Sequence, residues 1–133
     1  MTEKSIPKIS DAEWTVMEII WDSKKITSQG TIERLSFTGW NENTVKTLIT
    51  RLVKKGAAGY EVDSRDRRVY YYYPLIEKEN CLKEETDSFL KKFYNGALTS
   101  LVSKFVEKDD ISEDEIDKLI EILQEKKGKE VKR

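Results

Sequence analysis

Residues 44–55 separate into an apolar side and a cationic side when they are wound as a helix. The apolar positions recur at offsets 0, 3, 4, 7 and 8, which is the spacing that buries one side of a helix against a core. The apolar stripe consists of Val45, Leu48, Ile49, Leu52 and Val53. The chain must therefore fold so that other elements cover this stripe and leave the opposite side exposed.

The opposite side of this helix is basic and rich in short hydrogen-bonding side chains, and no carboxylate follows Glu42 until Glu61. It consists of Asn43, Lys46, Thr47, Thr50, Arg51 and Lys54. A cationic surface of this kind is typical of a helix that enters a DNA major groove. The alternative interpretation is the solvated side of an ordinary amphipathic helix.

A β-hairpin is predicted directly after this helix. Gly56 occupies a helix C-terminal position, and residues 60–62 and 68–73 have the composition of two short strands. The turn between them contains Arg65, Arg67 and Arg68. Arginines at a hairpin tip beside a basic helix could bind the phosphates that flank a groove, which is the role of the wing in a winged helix. The alternative is a flexible solvated turn.

Four consecutive tyrosines form most of the second predicted strand, residues 70–73. Side chains alternate between the two sides of a strand, so we expect two of them to pack inward and two to lie near the surface. Their main predicted role is strand formation and core packing.

Two helices are predicted before the basic helix. Ser10 and Glu13 have the spacing of a capping box, so the first helix should begin at Asp11. A shorter second helix is expected after a Ser28 cap, with Ile32 and Leu35 inward, and the basic helix should follow an Asn41 or Asn43 cap. The order of elements predicts a mainly α fold with a small β-hairpin, a winged helix-turn-helix domain over residues 1–74.

The charge distribution supports a basic first part of the chain. The whole chain has 24 Lys plus Arg and 25 Asp plus Glu, a formal net charge of −1. Residues 1–74 contain 12 and 10 of these, which gives +2, and residues 75–133 contain 12 and 15, which gives −3. The excess of basic charge therefore coincides with the predicted helix and wing, whereas the acidic second part would be repelled by DNA.

The composition gives little support for an enzyme or for a membrane protein. The chain has no histidine and one cysteine, Cys81, which removes the commonest general base and any disulfide within the chain. No cofactor or metal is predicted. An enzyme would have to work from scattered carboxylates in a pocket that perturbs their ionisation. The chain lacks a signal-peptide pattern and any run of about eighteen apolar residues, so we expect a cytoplasmic protein without membrane insertion.

Residues 75–133 are predicted to form a helical dimerisation domain. Their apolar residues recur as doublets about four positions apart, and one helix cannot bury such a pattern alone. Asn95 and Gly96 interrupt the doublets, and Ser112 with Glu115 predicts a capping box for a further helix. The predicted dimerisation residues are Phe89, Phe93, Leu98, Leu101, Val102, Phe105, Ile116, Leu119, Ile120 and Leu123. A second copy of the chain would cover them, and the alternative is that these helices fold back on the winged domain.

Several segments resemble the penicillinase and methicillin-resistance repressor family. They are AEWTVMEIIW at 12–21, NTVKTLITRLVKKG at 43–56, RVYYYYP at 68–74, FLKKFYNGALTSLVSKF at 89–105 and EIDKLIEIL at 115–123. The resemblance covers nearly the whole chain. It implies a homodimeric winged-helix repressor that binds palindromic operators upstream of β-lactamase or related resistance genes.

The resemblance also assigns roles to individual residues. In this family the N-terminal half of the recognition helix reads bases, which corresponds here to Asn43, Thr44, Lys46 and Thr47, with Arg51 on the same side. The DNA-binding residues predicted from the pattern and the resemblance together are Asn43, Thr44, Lys46, Thr47, Thr50, Arg51, Lys54, Arg65, Arg67 and Arg68.

The resemblance further implies a mechanism of release. Family members leave DNA when a membrane sensor metalloprotease responds to β-lactam and the repressor is cut in its dimerisation region. The matching bond joins Lys104 to Phe105, where the staphylococcal relatives typically have Asn before the Phe, so Lys104 is a departure. A copper-responsive branch carries a cysteine cluster near the C-terminus, which this sequence lacks.

The sequence also leaves open a function in protein–protein interaction. A winged-helix module can serve protein–protein interaction without binding DNA. Such a module does not need the basic surface formed by Lys46, Arg51, Lys54 and the wing arginines.

Overall fold

The computed structural model describes residues 6–108 and 111–131, with side chains up to residue 129. The helices are α1 (Asp11–Ser23), α2 (Ser28–Arg34), α3 (Glu42–Lys54), α4 (Lys78–Tyr94), α5 (Leu98–Glu107) and α6 (Glu113–Val131). The strands are β1 (Ile26–Thr27), β2 (Ala58–Val62) and β3 (Tyr70–Pro74), and a 3₁₀ turn covers Ser36–Thr38. The predicted mainly α fold with a winged helix-turn-helix order of elements is confirmed.

The chain divides into two compact units, and the boundary falls after Glu85, within α4. The first unit thus continues beyond Pro74, where the sequence placed the boundary. It does so because Cys81 of α4 is buried in the core of the first unit and Trp21 Nε1 donates to the Ile76 carbonyl oxygen at 2.9 Å.

The core of the first unit is built from α1, α2, α3, the sheet and the start of α4. Its central, almost fully buried side chains are Val16, Met17, Ile20, Leu35, Val45, Ile49, Leu52, Ala57, Ala58 and Cys81. The whole predicted stripe of α3 lies on this core, with Val53 partly buried at its edge. The exposed side of α3 is therefore fixed by burial of the opposite side.

The sheet has three antiparallel strands in the order β1-β3-β2. The sequence predicted only the hairpin, because β1 has two residues and gives no detectable alternation. Thr27, which pairs with Tyr71, is also the N-cap of α2: its Oγ1 accepts from the Gly30 amide at 3.0 Å. The predicted Ser28 cap was therefore wrong, since Ser28 is the first residue of the helix and Thr27 retains the extended backbone that a cap needs.

Other predicted helix boundaries are confirmed. Ser10 and Glu13 form the capping box, with the Ser10 amide 2.9 Å from Glu13 Oε1 and the Glu13 amide 3.2 Å from Ser10 Oγ. Asn41, one of the two candidates, caps α3. Gly56 follows the end of α3 with φ at +81°, a conformation that favours glycine.

The hairpin differs from its prediction at both strands. β2 begins earlier, at Ala58, and β3 begins at Tyr70 because Arg68 belongs to the turn. None of the four tyrosines at 70–73 is fully buried: Tyr72 packs against the core and is partly buried, as are Tyr71 and Tyr73, whereas Tyr70 is exposed. The rings of Tyr60 and Tyr70 instead stack on each other, with centroids 5.2 Å apart.

The second unit consists of the last part of α4, with α5 and α6. Asn95 and Gly96 form the joint between α4 and α5, both with positive φ, as the interruption of the doublets predicted. Ser112 Oγ accepts from the Glu115 amide at 3.2 Å at the start of α6. Within the described ranges, no helix combines the length and the apolar character required to cross a membrane.

A buried ion pair links α1 to the end of α3 in the first unit. The Glu13 carboxylate is almost completely buried, and its Oε1 lies 2.5 Å from Lys55 Nζ, which also donates to the Lys8 carbonyl oxygen at 2.8 Å. Burial alone would raise the pKa of Glu13. The hydrogen bonds from Lys55 and Ser10 and the charge of Lys55 outweigh it, so the pKa lies below the ordinary 4.5.

We expect Glu13→Gln to lower the free energy of unfolding by about 2 kcal/mol near neutral pH, because a charged hydrogen bond is lost at a buried site. A depressed folded-state pKa stabilises the fold above the unfolded-state pKa, and this contribution disappears as the pH falls through the folded-state value. Urea unfolding should therefore show a difference between wild type and variant that shrinks below pH 4.5.

Glu18→Gln is the matched control, because the pair that Glu18 forms with Lys78 is half-exposed and should contribute little. Equal losses in the two variants, or a Glu13→Gln loss that is unchanged in acid, would contradict this role of the buried pair.

Candidate nucleic-acid interface

The exposed side of α3 presents the residues that the sequence assigned to it. Asn43, Lys46, Thr47, Arg51 and Lys54 are exposed, whereas the apolar residues between them are buried, with Val53 partly buried. Thr50 is exposed as well, but its Oγ1 donates to the Lys46 carbonyl oxygen at 2.9 Å, so its hydroxyl proton is already used within the helix.

The first turns of α3 form a shallow depression of about 360 Å³. Its lining residues are Asn41, Asn43, Thr44, Thr47, Leu48 and Arg51. Asn41 Oδ1 accepts from the Thr44 amide at 2.8 Å, which holds this end of the helix in place. Amide, hydroxyl and guanidinium groups on one surface offer the donors and acceptors that match base edges. Sequence reasoning identified Asn41 only as a candidate cap and missed its place in this lining.

The charged groups of the surface divide into paired and unpaired cations. Among the residues that the structure describes, Lys46, Arg51 and Lys54 form no ion pair. Lys55, next along the chain, is held by Glu13 and the Lys8 carbonyl. The helix therefore offers three unpaired cations to an anionic ligand, and Lys55 serves the fold.

The wing tip is an ordered turn. Asp63 Oδ2 accepts from the amides of Arg65 at 3.0 Å and Asp66 at 2.9 Å, and the Val69 amide donates to the Asp66 carbonyl oxygen at 3.0 Å. The Asp63 amide closes the hairpin by donating to the Val69 carbonyl oxygen at 2.9 Å. A carboxylate that accepts two successive amides is a typical device for fixing a tight turn.

The three wing arginines are not equivalent. In the described part of the chain the side chains of Arg65 and Arg67 have no ion-pair partner. The Arg68 guanidinium is paired with Asp66, and its hydrogen bonds hold the pKa of that carboxyl below its ordinary value. This pair could not be predicted from the sequence, because the turn contains charges of both signs and the sequence does not show which of them meet.

The structure places the predicted DNA-contacting residues on α3 and the wing of one compact unit. The predicted dimerisation residues lie in the other unit and form a second, apolar surface. Phe89, Phe93, Leu98, Phe105, Ile116, Ile120 and Leu123 are exposed, and Leu101, Val102 and Leu119 are partly buried.

A depression of about 310 Å³ lies on this second surface, between α5 and the start of α6. Its lining residues are Leu101, Val102, Phe105, Ile111, Glu115 and Leu119. Ile122, 62 % exposed, extends the apolar side of α6 and was missed because it lies at the edge of the helical stripe. Lys104 is exposed within α5, with its Nζ 4.0 Å from a Glu107 carboxylate oxygen.

Comparisons with known proteins agree with this geometry. The family model described as "Penicillinase repressor" matches residues 9–125. A penicillinase repressor of Bacillus licheniformis is 41% identical over 95% of this chain and 97% of its own length. The methicillin resistance regulatory protein MecI of Staphylococcus aureus N315 is 41% identical over 90% of this chain and 95% of its own.

A solved structure is similar to part of the chain. It is the solution structure of the monomeric form of Bacillus licheniformis BlaI in complex with the blaP half-operator. It has a TM-score of 0.50 and 39% sequence identity, and the match covers 59% of this chain and 93% of that chain.

The N-cap of α3 provides a test of how this surface is held. Asn41→Ala should lower the free energy of unfolding by about 1 kcal/mol, because the Thr44 amide loses its acceptor. The control is Asn43→Ala, two residues further along, where the side chain is exposed within the helix. Thermal unfolding that gives the same loss for both variants would show that Asn41 does not act as a cap.

Proposed function

The chain belongs to the penicillinase repressor family, and from this premise we propose that it is a transcriptional repressor that binds duplex operator DNA. The observation that carries the proposal is the set of cations on α3 and the wing of one compact unit that have no ion-pair partner in the described ranges. Phosphate neutralisation by such cations supplies nearly all of the non-specific affinity of a DNA-binding protein and a large share of its specific affinity.

We assign sequence reading to the first turns of α3. Asn43, Thr44 and Thr47 supply short hydrogen-bonding groups beside Lys46 and Arg51, and such groups distinguish base pairs in the major groove. Arg65 and Arg67 of the wing and Lys54 are assigned to flanking phosphates, which position a protein without reading sequence. By similarity to the named relatives, the proposed targets are operators of β-lactamase or related resistance genes.

The two elements should respond differently to substitution. Thr47→Ala should reduce the preference for an operator over random duplex, with a loss of roughly 1 to 3 kcal/mol if a good base contact is removed. Arg67→Gln should weaken binding to both duplexes alike. It should also reduce the slope of log affinity against log salt concentration by about one unit, because one phosphate contact is lost. Fluorescence titrations at several salt concentrations measure both quantities. The assignment is wrong if the wing variant changes base preference and the helix variant does not.

We further propose that the apolar surface of the second unit binds a second copy of the chain. Burying a side chain such as Phe105 or Leu123 is worth roughly 1.5 to 3 kcal/mol, and these side chains are more than half exposed in the single chain. A two-fold dimer matches a palindromic operator, and linking two weak DNA-binding domains raises their joint affinity through effective concentration. The acidic character of residues 75–133 suits a surface that stays away from DNA.

The family resemblance suggests release by a membrane sensor metalloprotease, and we propose the bond between Lys104 and Phe105 as the site. The bond lies inside α5, so the helix must unwind locally before a protease can bind the segment in extended form. Cleavage there would separate the α5 stripe from α6, which carries Ile116, Leu119 and Leu123. A cytoplasmic location, expected from the sequence, stays a prediction.

Truncation after Lys104 tests the dimerisation assignment. The truncated chain lacks Phe105 and the whole apolar side of α6, so we expect a monomer in sedimentation and an operator affinity reduced by at least tenfold through loss of avidity. Its affinity for a half-operator should stay within about twofold of the full chain, because α3 and the wing are intact. A truncated chain that remains dimeric and binds the full operator with undiminished affinity would refute the assignment.

A further inference from the structure

At the wing tip, the carboxylate of Asp66 forms an ion pair with the guanidinium of Arg68. The Asp66 carboxylate accepts from Arg68 Nε at 3.0 Å through Oδ1 and from Arg68 Nη2 at 3.1 Å through Oδ2. Oδ1 also accepts from the Arg68 amide at 3.0 Å. This bidentate arrangement is the geometry with which a guanidinium binds a carboxylate or a DNA phosphate.

The position of this carboxylate is fixed by the turn. The Asp66 amide is bound by Asp63 Oδ2, and the Asp66 carbonyl oxygen accepts from the Val69 amide. Both backbone groups of Asp66 are thus engaged, and its side chain is held next to the residue two positions later. The Asp63 carboxylate accepts from backbone amides of the turn, and in the described part of the chain it forms no ion pair with an arginine side chain.

The pair changes the charge that the tip presents. The Arg68 side chain is 91 % exposed, so the guanidinium is accessible to a ligand, but its Nε and one Nη2 hydrogen already face an anion. A phosphate that approaches Arg68 would meet a nearly neutral pair. Arg65 and Arg67 carry no such partner among the described residues.

Given the proposed function, on which this inference rests, we propose that Asp66 is a specificity-determining residue. It neutralises and orients Arg68, so that this arginine contributes little to sequence-independent phosphate binding. Affinity for arbitrary duplex limits a repressor, because a genome offers an enormous excess of competing sites. Lowering that affinity raises the ratio between operator and random binding.

The direct test is Asp66→Asn, which keeps an oxygen that can accept from the Arg68 amide and removes the charge. On a random duplex the variant should bind several-fold more tightly at low salt, with a salt slope steeper by about one unit. Its ratio of operator affinity to random affinity should fall. Glu18→Gln is the control: it also removes one carboxylate from an ion pair of the first unit, in this case between α1 and Lys78 of α4.

The effect must act through Arg68. In an Arg68→Gln background, Asp66→Asn should shift the random-duplex affinity no more than Glu18→Gln does. Two results would overturn the proposal. One is an increase in random-duplex affinity from Asp66→Asn that persists in the Arg68→Gln background. The other is an increase from Asp66→Asn in the wild-type background that is no larger than the increase from Glu18→Gln. If the turn of the Asp66 variant is lost, as judged by the amide NMR signals of Arg65 and Arg68, a second comparison decides.

That comparison sets the double variant Asp66→Ser/Arg68→Gln against Arg67→Gln. The double variant removes the whole ion pair and keeps a hydroxyl that can accept from the amide of residue 68. It should bind random duplex about as tightly as the wild type, whereas Arg67→Gln should weaken that binding, and equal losses would overturn the proposal. Failure of the proposed function is separate: it would appear as a wild-type chain that does not prefer its operator to random duplex, whatever these variants do.

Discussion

Burial of the α3 stripe against α1 and the sheet is the contact on which the other features of the first unit depend. Leu52 and Ile49 are almost completely enclosed, and a rotation of α3 about its axis would expose them while burying Lys46 or Arg51. Burying an unpaired cation costs far more than burying a polar neutral group. The core therefore fixes which side chains α3 presents to a ligand.

The distribution of ion pairs then separates structural charges from available ones. Lys55 is tied to the buried Glu13, Lys78 to Glu18, and Arg68 to Asp66, whereas Lys46 and Arg51 have no ion-pair partner among the described residues. A formal net charge of −1 says little about binding, because the location of the unpaired cations decides the local field.

Features repeated over many residues could be predicted from the sequence, and features that depend on a single contact could not. The period of α3, the Ser10 capping box and the apolar doublets were readable because several residues carry each signal. β1 was missed because Ile26 and Thr27 form a strand only through pairing with β3. The Asp66 to Arg68 pair was missed because the side-chain geometry of a turn is not encoded in composition, and dimerisation through the second unit stays a prediction.

The most direct test of the proposed interface is amide hydrogen exchange of the full chain, with and without a duplex that carries its operator. Binding should slow exchange in the first turns of α3 and in the wing, at residues 41–51 and 63–69. Exchange in α1 on the far side of the core should stay unchanged. Protection confined to other surfaces, or no protection at α3 under saturating operator, would contradict the proposal that this helix and wing bind DNA.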